Sequence, residues 1–191
     1  MTPGRIVLLT GLCGAGKSTL ARALAGQLER AVVIPIDDLR DFVVSGCADP
    51  TAEWTDETRL QFWIAHRNAA RMAADYADAG FDVFLDQLTF PGAVRDEIEP
   101  CLGGHTLTAL LLMPSIAEAQ ARNAARTKND PALIAVLHDY SPWLRGAWEP
   151  HLSDLPANWT RLDTSGETLA ESVARIEALL GPPLDARARN G

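Results

Sequence analysis

Eight consecutive positions near the start of the sequence combine glycines with a lysine and a serine, the residue types that hold phosphate groups. Residues 11–18 read Gly-Leu-Cys-Gly-Ala-Gly-Lys-Ser, which fits the pattern G-x-x-x-x-G-K-[ST]. Glycines let successive backbone N–H groups turn toward anionic oxygens, and a helix that begins here adds its positive end. The lysine can reach the β- and γ-phosphates of a nucleotide, and the serine hydroxyl can bind Mg²⁺. A site for ATP and Mg²⁺ is therefore predicted. The expected nucleotide contacts are Gly11, Cys13, Gly14, Ala15, Gly16, Lys17, Ser18 and Thr19.

Carboxylates follow two of the predicted strands. Asp37 and Asp38 come after the apolar run 31–36, and Asp86 ends the run 81–85. Ligands of an open α/β sheet lie beyond the carboxyl ends of its strands, so these side chains are expected beside the phosphate loop. Asp86 is predicted to hold Mg²⁺ through water or to orient Ser18, while an ordinary turn aspartate would give the same pattern.

The pair Asp37 and Asp38 offers the carboxylate expected of a kinase that acts on a hydroxyl group. Such an enzyme uses a carboxylate to accept the hydroxyl proton, whereas a hydrolase needs only a positioned water. Asp37 directly follows the strand and is the candidate base. Lys17 is also a candidate catalytic residue. Asp38 either contacts the acceptor or caps the next helix, whose first turn is predicted at 39–41.

A compact group of cations follows the fourth predicted strand. Arg122 and Arg126 are four residues apart on one helix and share a face, and Lys128 lies just beyond. We expect the two arginines to stabilise the charge of the γ-phosphoryl group during transfer. The alternative is a solvated helix face on which Glu118 pairs with Arg122.

The longest helical pattern, at 56–79, repeats an arginine or tryptophan every four residues at 59, 63, 67 and 71. Part of this stripe is expected to line an acceptor pocket, and the alternative is a helix packed through its tryptophan with solvated arginines. The candidate acceptor contacts are Asp38, Arg40, Trp63 and Arg67.

Short apolar runs alternate with helical patterns along the whole chain, which predicts an α/β fold with parallel strands and covering helices. Strands are predicted at 6–9, 31–36, 81–85, 106–113 and 159–162, and helices at 17–28, 39–44, 56–79 and 168–180. The irregular stretch 127–157 is predicted to form a helical lid, and 184–191 a frayed tail. Residues 1–183 are expected to form one domain.

The composition restricts the classes of partner. The chain has 191 residues and a net charge of -8, which argues against binding to a nucleic-acid duplex. Three widely spaced cysteines without a CxxC pair argue against zinc and disulfides, and they favour a cytoplasmic protein with reduced thiols. The apolar run before Gly11 is too short for a membrane span. The expected state is a monomer or a homodimer.

Taken in order, these features resemble a known group of P-loop kinases. Five features carry the resemblance: the phosphate loop, the strand-end Asp37, the stretch 80–90 (GFDVFLDQLTF), the helix with Arg122 and Arg126, and the Leu-Asp-Thr-Ser stretch before the last helix. The group includes gluconate kinase, chloramphenicol phosphotransferase, the zeta toxins and tunicamycin-resistance proteins.

The resemblance implies a three-layer sandwich with a five-stranded parallel sheet in the order 2-3-1-4-5, and Mg·ATP-dependent transfer to a hydroxyl group of a small molecule. It places Asp37 as the catalytic carboxylate, and Arg126 with Arg122 as lid arginines. The stretch 143–150 and the acceptor residues match no single member, so a sugar, an antibiotic and a nucleoside-like acceptor all stay open.

Two other functions are compatible with the phosphate loop. One is a nucleotide-binding regulatory protein without phosphotransfer, which Asp37 at the strand end argues against. The other is a kinase of nucleic-acid ends, which the acidic net charge argues against.

Overall fold

A five-stranded parallel sheet forms the centre of the protein in the computed structural model, which describes residues 2–125 and 131–182. Its order is β2-β3-β1-β4-β5, as predicted. The strands are β1 (Ile6–Gly11), β2 (Ala31–Pro35), β3 (Asp82–Asp86), β4 (Leu107–Leu112) and β5 (Trp159–Leu162). The predicted strands are therefore confirmed to within two residues at each end.

Within residues 2–125 and 131–182, seven helices connect and cover the strands, which gives the predicted three-layer sandwich. They are α1 (Lys17–Ala25), α2 (Ile36–Arg40), α3 (Asp56–Asp78), α4 (Pro91–Ala93), α5 (Ile116–Ala124), α6 (Pro131–Leu152) and α7 (Leu169–Leu180). After α4 the chain continues through a π-helical turn, Val94–Ile98, and a 3₁₀ turn, Glu99–Cys101. Within the described ranges, no helix is both long and apolar enough to cross a membrane.

The core lies on both sides of the three central strands. All residues of β1 and β3 are buried, and β4 has a single exposed position. Such two-sided burial explains why these strands read as continuous apolar runs rather than as alternating patterns. The buried face of α3 consists largely of alanines, at positions 65, 69, 70, 73 and 77, whose small side chains let this helix approach the sheet closely.

The connection after β2 differs from the prediction. The strand ends at Pro35, and α2 begins at Ile36, so the short helix expected at 39–44 begins three residues earlier. Ile36 is fully buried, which fixes the first residue of α2 to the core. Pro35 occupies the N-cap position without a side-chain hydrogen bond, and the reading of Asp38 as the helix cap is therefore wrong. Asp37 and Asp38 lie in the first turn of α2, where the positive end of the helix favours acidic side chains.

Helix α6 occupies most of the stretch for which a lid was predicted. Its residues Leu144 and Trp148 are fully buried, and the Trp148 ring stacks on Phe90 with 4.5 Å between ring centroids. The second half of α6 therefore belongs to the core. The predicted tail, 184–191, lies outside the described residues.

Candidate active site

The phosphate loop connects β1 to α1 and lies tightly against β4 and α5. A side-chain carbon added at Gly11 would approach the Leu112 carbonyl oxygen to 2.0 Å, and one at Gly14 would approach the Ala119 carbonyl oxygen to 2.1 Å. Both glycines also have positive φ angles, 126° and 81°, which other residues rarely adopt. These two positions therefore require glycine for steric reasons. The two glycines let the loop pack against β4 and α5 in this one backbone conformation.

The open end of α1 faces the loop. Its N-cap, Gly16, has no side chain to occupy the first N–H groups, which leaves them for an anionic ligand. The Lys17 ammonium group donates to the carbonyl oxygens of Gly11 and Leu12 at 3.4 and 3.2 Å, so it lies folded across the loop. Ser18 and Thr19 are exposed in the first turn. The loop therefore offers backbone donors, an ammonium group and hydroxyl groups on one surface.

Asp37 lies close to Lys17 and Asp86, as expected for side chains at the ends of neighbouring strands. The positive charge of Lys17 and the negative charge of Asp86 both act on its carboxyl group. The Gln87 amide is assigned with its nitrogen toward Asp37, because only this orientation satisfies its neighbours, and the nitrogen then donates to both carboxylate oxygens at 3.0 and 3.2 Å. Gln87 is buried, and its own backbone N–H donates to the Leu9 carbonyl oxygen.

Gln87 is the one neighbour of Asp37 that the sequence reasoning missed. Its position directly after Asp86, at the carboxyl end of a central strand, was the available signal. Amide side chains are common in any loop, however, so the residue type alone did not indicate a role.

The environment of Asp37 raises the pKa of its carboxyl group above the usual value. Removal of water by the surrounding protein is the largest cause, and the charge of Asp86 acts in the same direction. The charge of Lys17 and the hydrogen bond from Gln87 lower the pKa, but they do not cancel the effect of burial. The residue as a whole is nevertheless exposed, so surrounding protein perturbs its carboxyl group and solvent still reaches it.

The oxygen donors near the loop fit Mg²⁺. Asp86 is buried at the end of β3, and Ser18 is exposed at the start of α1. Among the described residues, no group of three or more His, Cys, Asp or Glu side chains could hold a metal ion by itself. This suits magnesium, which usually takes one or two protein oxygens and completes its shell with water and substrate phosphates.

Arg122 lies on the nucleotide side of the loop. Its guanidinium group donates to the Thr164 carbonyl oxygen at 3.0 Å and to the Ala15 carbonyl oxygen at 3.4 Å. It also pairs with Glu118 at 2.6 Å, which is the i,i+4 pair considered from the sequence. Arg122 thus connects the phosphate loop with the segment between β5 and α7.

A cavity of about 250 Å³ opens beside this arginine. Its lining includes Gly16, Thr19 and Arg122 on one side and Thr164 and Leu169 on the other. The cavity borders the phosphate loop through Gly14 and Gly16, and Leu20 and Leu169 add apolar surface to its lining. Arg126 and Lys128, the other predicted cations, lie outside the described residues.

The candidate acceptor residues separate into two places. Arg40 is buried, donates to the Ala48 carbonyl oxygen at 2.6 Å and lies over the Phe62 ring at 4.0 Å. Trp63 and Arg67 instead contact each other, 4.5 Å from guanidinium carbon to ring centroid, and the Trp63 side chain is exposed. Asp38 is exposed in α2, next to Asp37.

Comparison with known proteins agrees with this architecture. The family described as AAA domain (AAA_33) matches residues 6–145. The thymidylate kinase of Dinoroseobacter shibae is 30% identical over 114 residues, which cover 50% of this chain and 54% of that protein. The chain thus matches about half the length of this relative.

Solved structures of small-molecule kinases have the same fold. A sugar kinase from Janibacter sp. superposes with a TM-score of 0.67 at 19% identity, over 93% of this chain and 95% of the other. A gluconokinase from Sinorhizobium meliloti gives a TM-score of 0.59 at 20% identity, over 94% and 96%. Gluconate kinase is among the proteins that the sequence resembles, so the resemblance is confirmed at the level of the fold. The chain belongs to the AAA_33 family of P-loop domains and has the fold of the P-loop small-molecule kinases.

Proposed function

We propose that this protein transfers the γ-phosphoryl group of ATP to a hydroxyl group of a small molecule, with Mg²⁺ as the metal. The observation that carries this proposal is the position of Asp37, a reachable carboxylate beside Lys17 of the phosphate loop. ATP hydrolysis or regulation by nucleotide binding needs no such carboxylate, whereas transfer to an alcohol does.

The donor would lie between the phosphate loop and the cavity beside Arg122. Backbone N–H groups of residues 13–19 and the start of α1 face the phosphates, and the Lys17 ammonium group leaves its loop carbonyls to bind the β- and γ-phosphates. Arg122 keeps the segment after β5 against the loop and so shapes the wall that contacts the base. Ser18 and, through water, Asp86 would hold Mg²⁺, which when bound would supply positive charge to offset that of the phosphates.

Asp37 would act on the acceptor. Its carboxylate accepts the proton of the attacking hydroxyl, the hydroxyl oxygen bonds to the γ-phosphorus, and the bond to the β-γ bridging oxygen breaks to release ADP. The raised pKa of Asp37 makes its carboxylate a stronger base than that of an ordinary aspartate. Gln87 holds both carboxylate oxygens and leaves their remaining lone pairs for the acceptor.

The test is a screen of hydroxyl compounds with Mg·ATP that measures ADP release above the rate in water alone. The proposal expects at least one compound to stimulate ADP release and to appear phosphorylated by mass spectrometry. Tight ATP binding without stimulation by any compound would favour a regulatory nucleotide-binding protein instead.

A further inference from the structure

One side of the phosphate loop lies against helix α5, and a polar side chain is part of this contact. A side-chain carbon added at Gly14 would lie 2.1 Å from the Ala119 carbonyl oxygen and 3.0 Å from the Cγ atom of Asn123. Ala119 and Asn123 are separated by one turn of α5 and therefore share one face of it. The amide group of Asn123 thus lies directly beside the loop backbone at Gly14, with no space for another side chain between them.

The Asn123 amide is without a hydrogen-bond partner in the part of the chain that the structure describes. The residue is fully buried, yet neither its side-chain nitrogen nor its side-chain oxygen is bonded to a described group. An unpaired amide in the interior costs free energy, whereas an apolar side chain of the same shape avoids that cost. Buried polar groups are nearly always bonded, so an exception needs a physical explanation. The described contacts give no structural reason for an asparagine at this position.

The preceding residue, Arg122, is already bonded to the same loop. Its guanidinium group donates to the Ala15 carbonyl oxygen at 3.4 Å and to the Thr164 carbonyl oxygen at 3.0 Å. Two consecutive residues of α5 therefore contact the phosphate loop. Arg122 does so through hydrogen bonds that are formed, and Asn123 through an amide whose hydrogen-bonding capacity is unused.

The loop backbone is the neighbour that can supply a partner to this amide. In a trans peptide the N–H and C=O groups point in opposite directions. An N–H group that turns toward a phosphate oxygen therefore directs the carbonyl oxygen of the same peptide unit to the other side of the loop. At Gly14 that other side is α5. The NH₂ group of an asparagine can donate two hydrogen bonds to such carbonyl oxygens.

We propose that Asn123 is a positioning residue of the donor site, whose amide donates to the phosphate-loop backbone beside Gly14 when the phosphates of ATP are bound. This inference rests on the proposed function, because it takes ATP as the ligand of the loop. The amide is unpaired in the ligand-free protein and paired in the complex, so ATP binding removes the cost of burying it. Asn123 thereby favours the nucleotide-bound form of the loop without contacting the nucleotide.

The first test replaces the amide by an apolar side chain of similar shape, in Asn123→Leu. The ligand-free variant is expected to unfold at the same temperature as the native protein or at a slightly higher one, because an unpaired amide leaves the interior. Its dissociation constant for Mg·ATP, measured by isothermal titration calorimetry, is expected to rise about tenfold. Stability and affinity are thus separated, whereas loss of a purely structural residue would lower the unfolding temperature first.

Asn123→Ala keeps this test decisive where leucine is too large for the site. Alanine leaves a small cavity and should lower the unfolding temperature, but it should weaken Mg·ATP binding by about the same factor as leucine, since both side chains lack the donor. The matched control is Asn68→Leu, which removes an exposed amide on α3 and should change neither quantity.

Native affinity for Mg·ATP in a folded Asn123 variant would overturn the inference and leave the proposed function standing. Failure of both variants to fold would also overturn it, because the amide would then be needed in the ligand-free protein. Failure of the native protein to bind Mg·ATP would contradict the inference and the proposed function together.

A second measurement observes the amide itself. The side-chain NH₂ signals of Asn123 are identified in a proton–nitrogen correlation spectrum by their absence in Asn123→Ala. Addition of Mg·ATP is expected to move one of these proton signals downfield, as formation of a hydrogen bond does. Signals that keep their positions at saturating Mg·ATP would overturn the inference.

Discussion

The two sides of the cleft are built in different ways. The donor side, formed by residues 11–19, Arg122 and the segment 163–168, is fixed by backbone contacts: glycines packed against neighbouring carbonyls and an arginine bonded to two loop oxygens. The acceptor side, formed by α2, residues 41–55, α3 and Gln87, is fixed by side chains that come from separate parts of the chain. A loop that binds phosphates through backbone N–H groups suits any nucleoside triphosphate. A pocket formed by side chains from separate segments can instead distinguish one acceptor from another.

We expect the largest effect from Lys17→Ala. This variant removes a positive charge that would act on the phosphates of the donor and that also acts on Asp37. Transfer should fall by on the order of 10²–10³-fold, the usual loss when a preorganised charged donor is removed. Among the described residues, the Lys17 ammonium group donates to two loop carbonyl oxygens at 3.4 and 3.2 Å, which are long hydrogen bonds, so the thermal unfolding temperature should stay nearly constant. Titration with ATP measures binding, and ADP release measures transfer. Unchanged values of both would contradict the assignment of residues 11–18 as the phosphate-binding loop.

Arg122→Ala is expected to affect the donor side alone. The variant loses the bonds that join the loop to Thr164, so KM for ATP should rise by about tenfold while KM for the acceptor stays constant. Arg22→Ala, at an exposed position in the last turn of α1, is the matched control. A loss confined to kcat would instead place Arg122 at the γ-phosphoryl group, the role first expected for it.

Gln87→Leu should affect the acceptor side alone, by about tenfold or less in kcat at neutral pH. The hydrogen bonds from Gln87 lower the pKa of Asp37, so their loss should raise that pKa further and shift the acid limb of the pH–rate profile upward. Thr89→Val, which removes a buried hydroxyl group on the same connection, is the control. An unshifted profile would show that Gln87 does not act through Asp37.

The smallest effect concerns stability. The folded protein holds the Asp37 proton more tightly than the unfolded chain does, so the stability that this group contributes is present at low pH and is lost as pH rises through the raised pKa. Above the raised pKa, the charged carboxylate therefore destabilises the ligand-free fold. Asp37→Asn should raise the thermal unfolding temperature slightly at pH values above that pKa and have no such effect in acid, as differential scanning calorimetry across a pH series can show.

Most of the donor side could be predicted from the sequence, because its information is local. Residues 11–18 specify the loop, and the alternation of apolar runs specifies the order of strands around it. The beginning of α2 was missed because Pro35 ends β2 and buried Ile36 begins a helix, and packing rather than propensity decides this boundary. The contacts of Gln87 and Trp54 depend on segments that meet only in the folded protein, which no spacing rule reveals.

Asp37 joins the two sides, so the most direct test measures ATP affinity and phosphoryl transfer together in Asp37→Asn. The variant removes the proton acceptor and leaves the phosphate loop unchanged. We predict an ATP dissociation constant equal to that of the native protein, with transfer reduced on the order of 10²–10⁴-fold. Equal losses of binding and transfer, or transfer at the native rate, would contradict the role of Asp37 as the base.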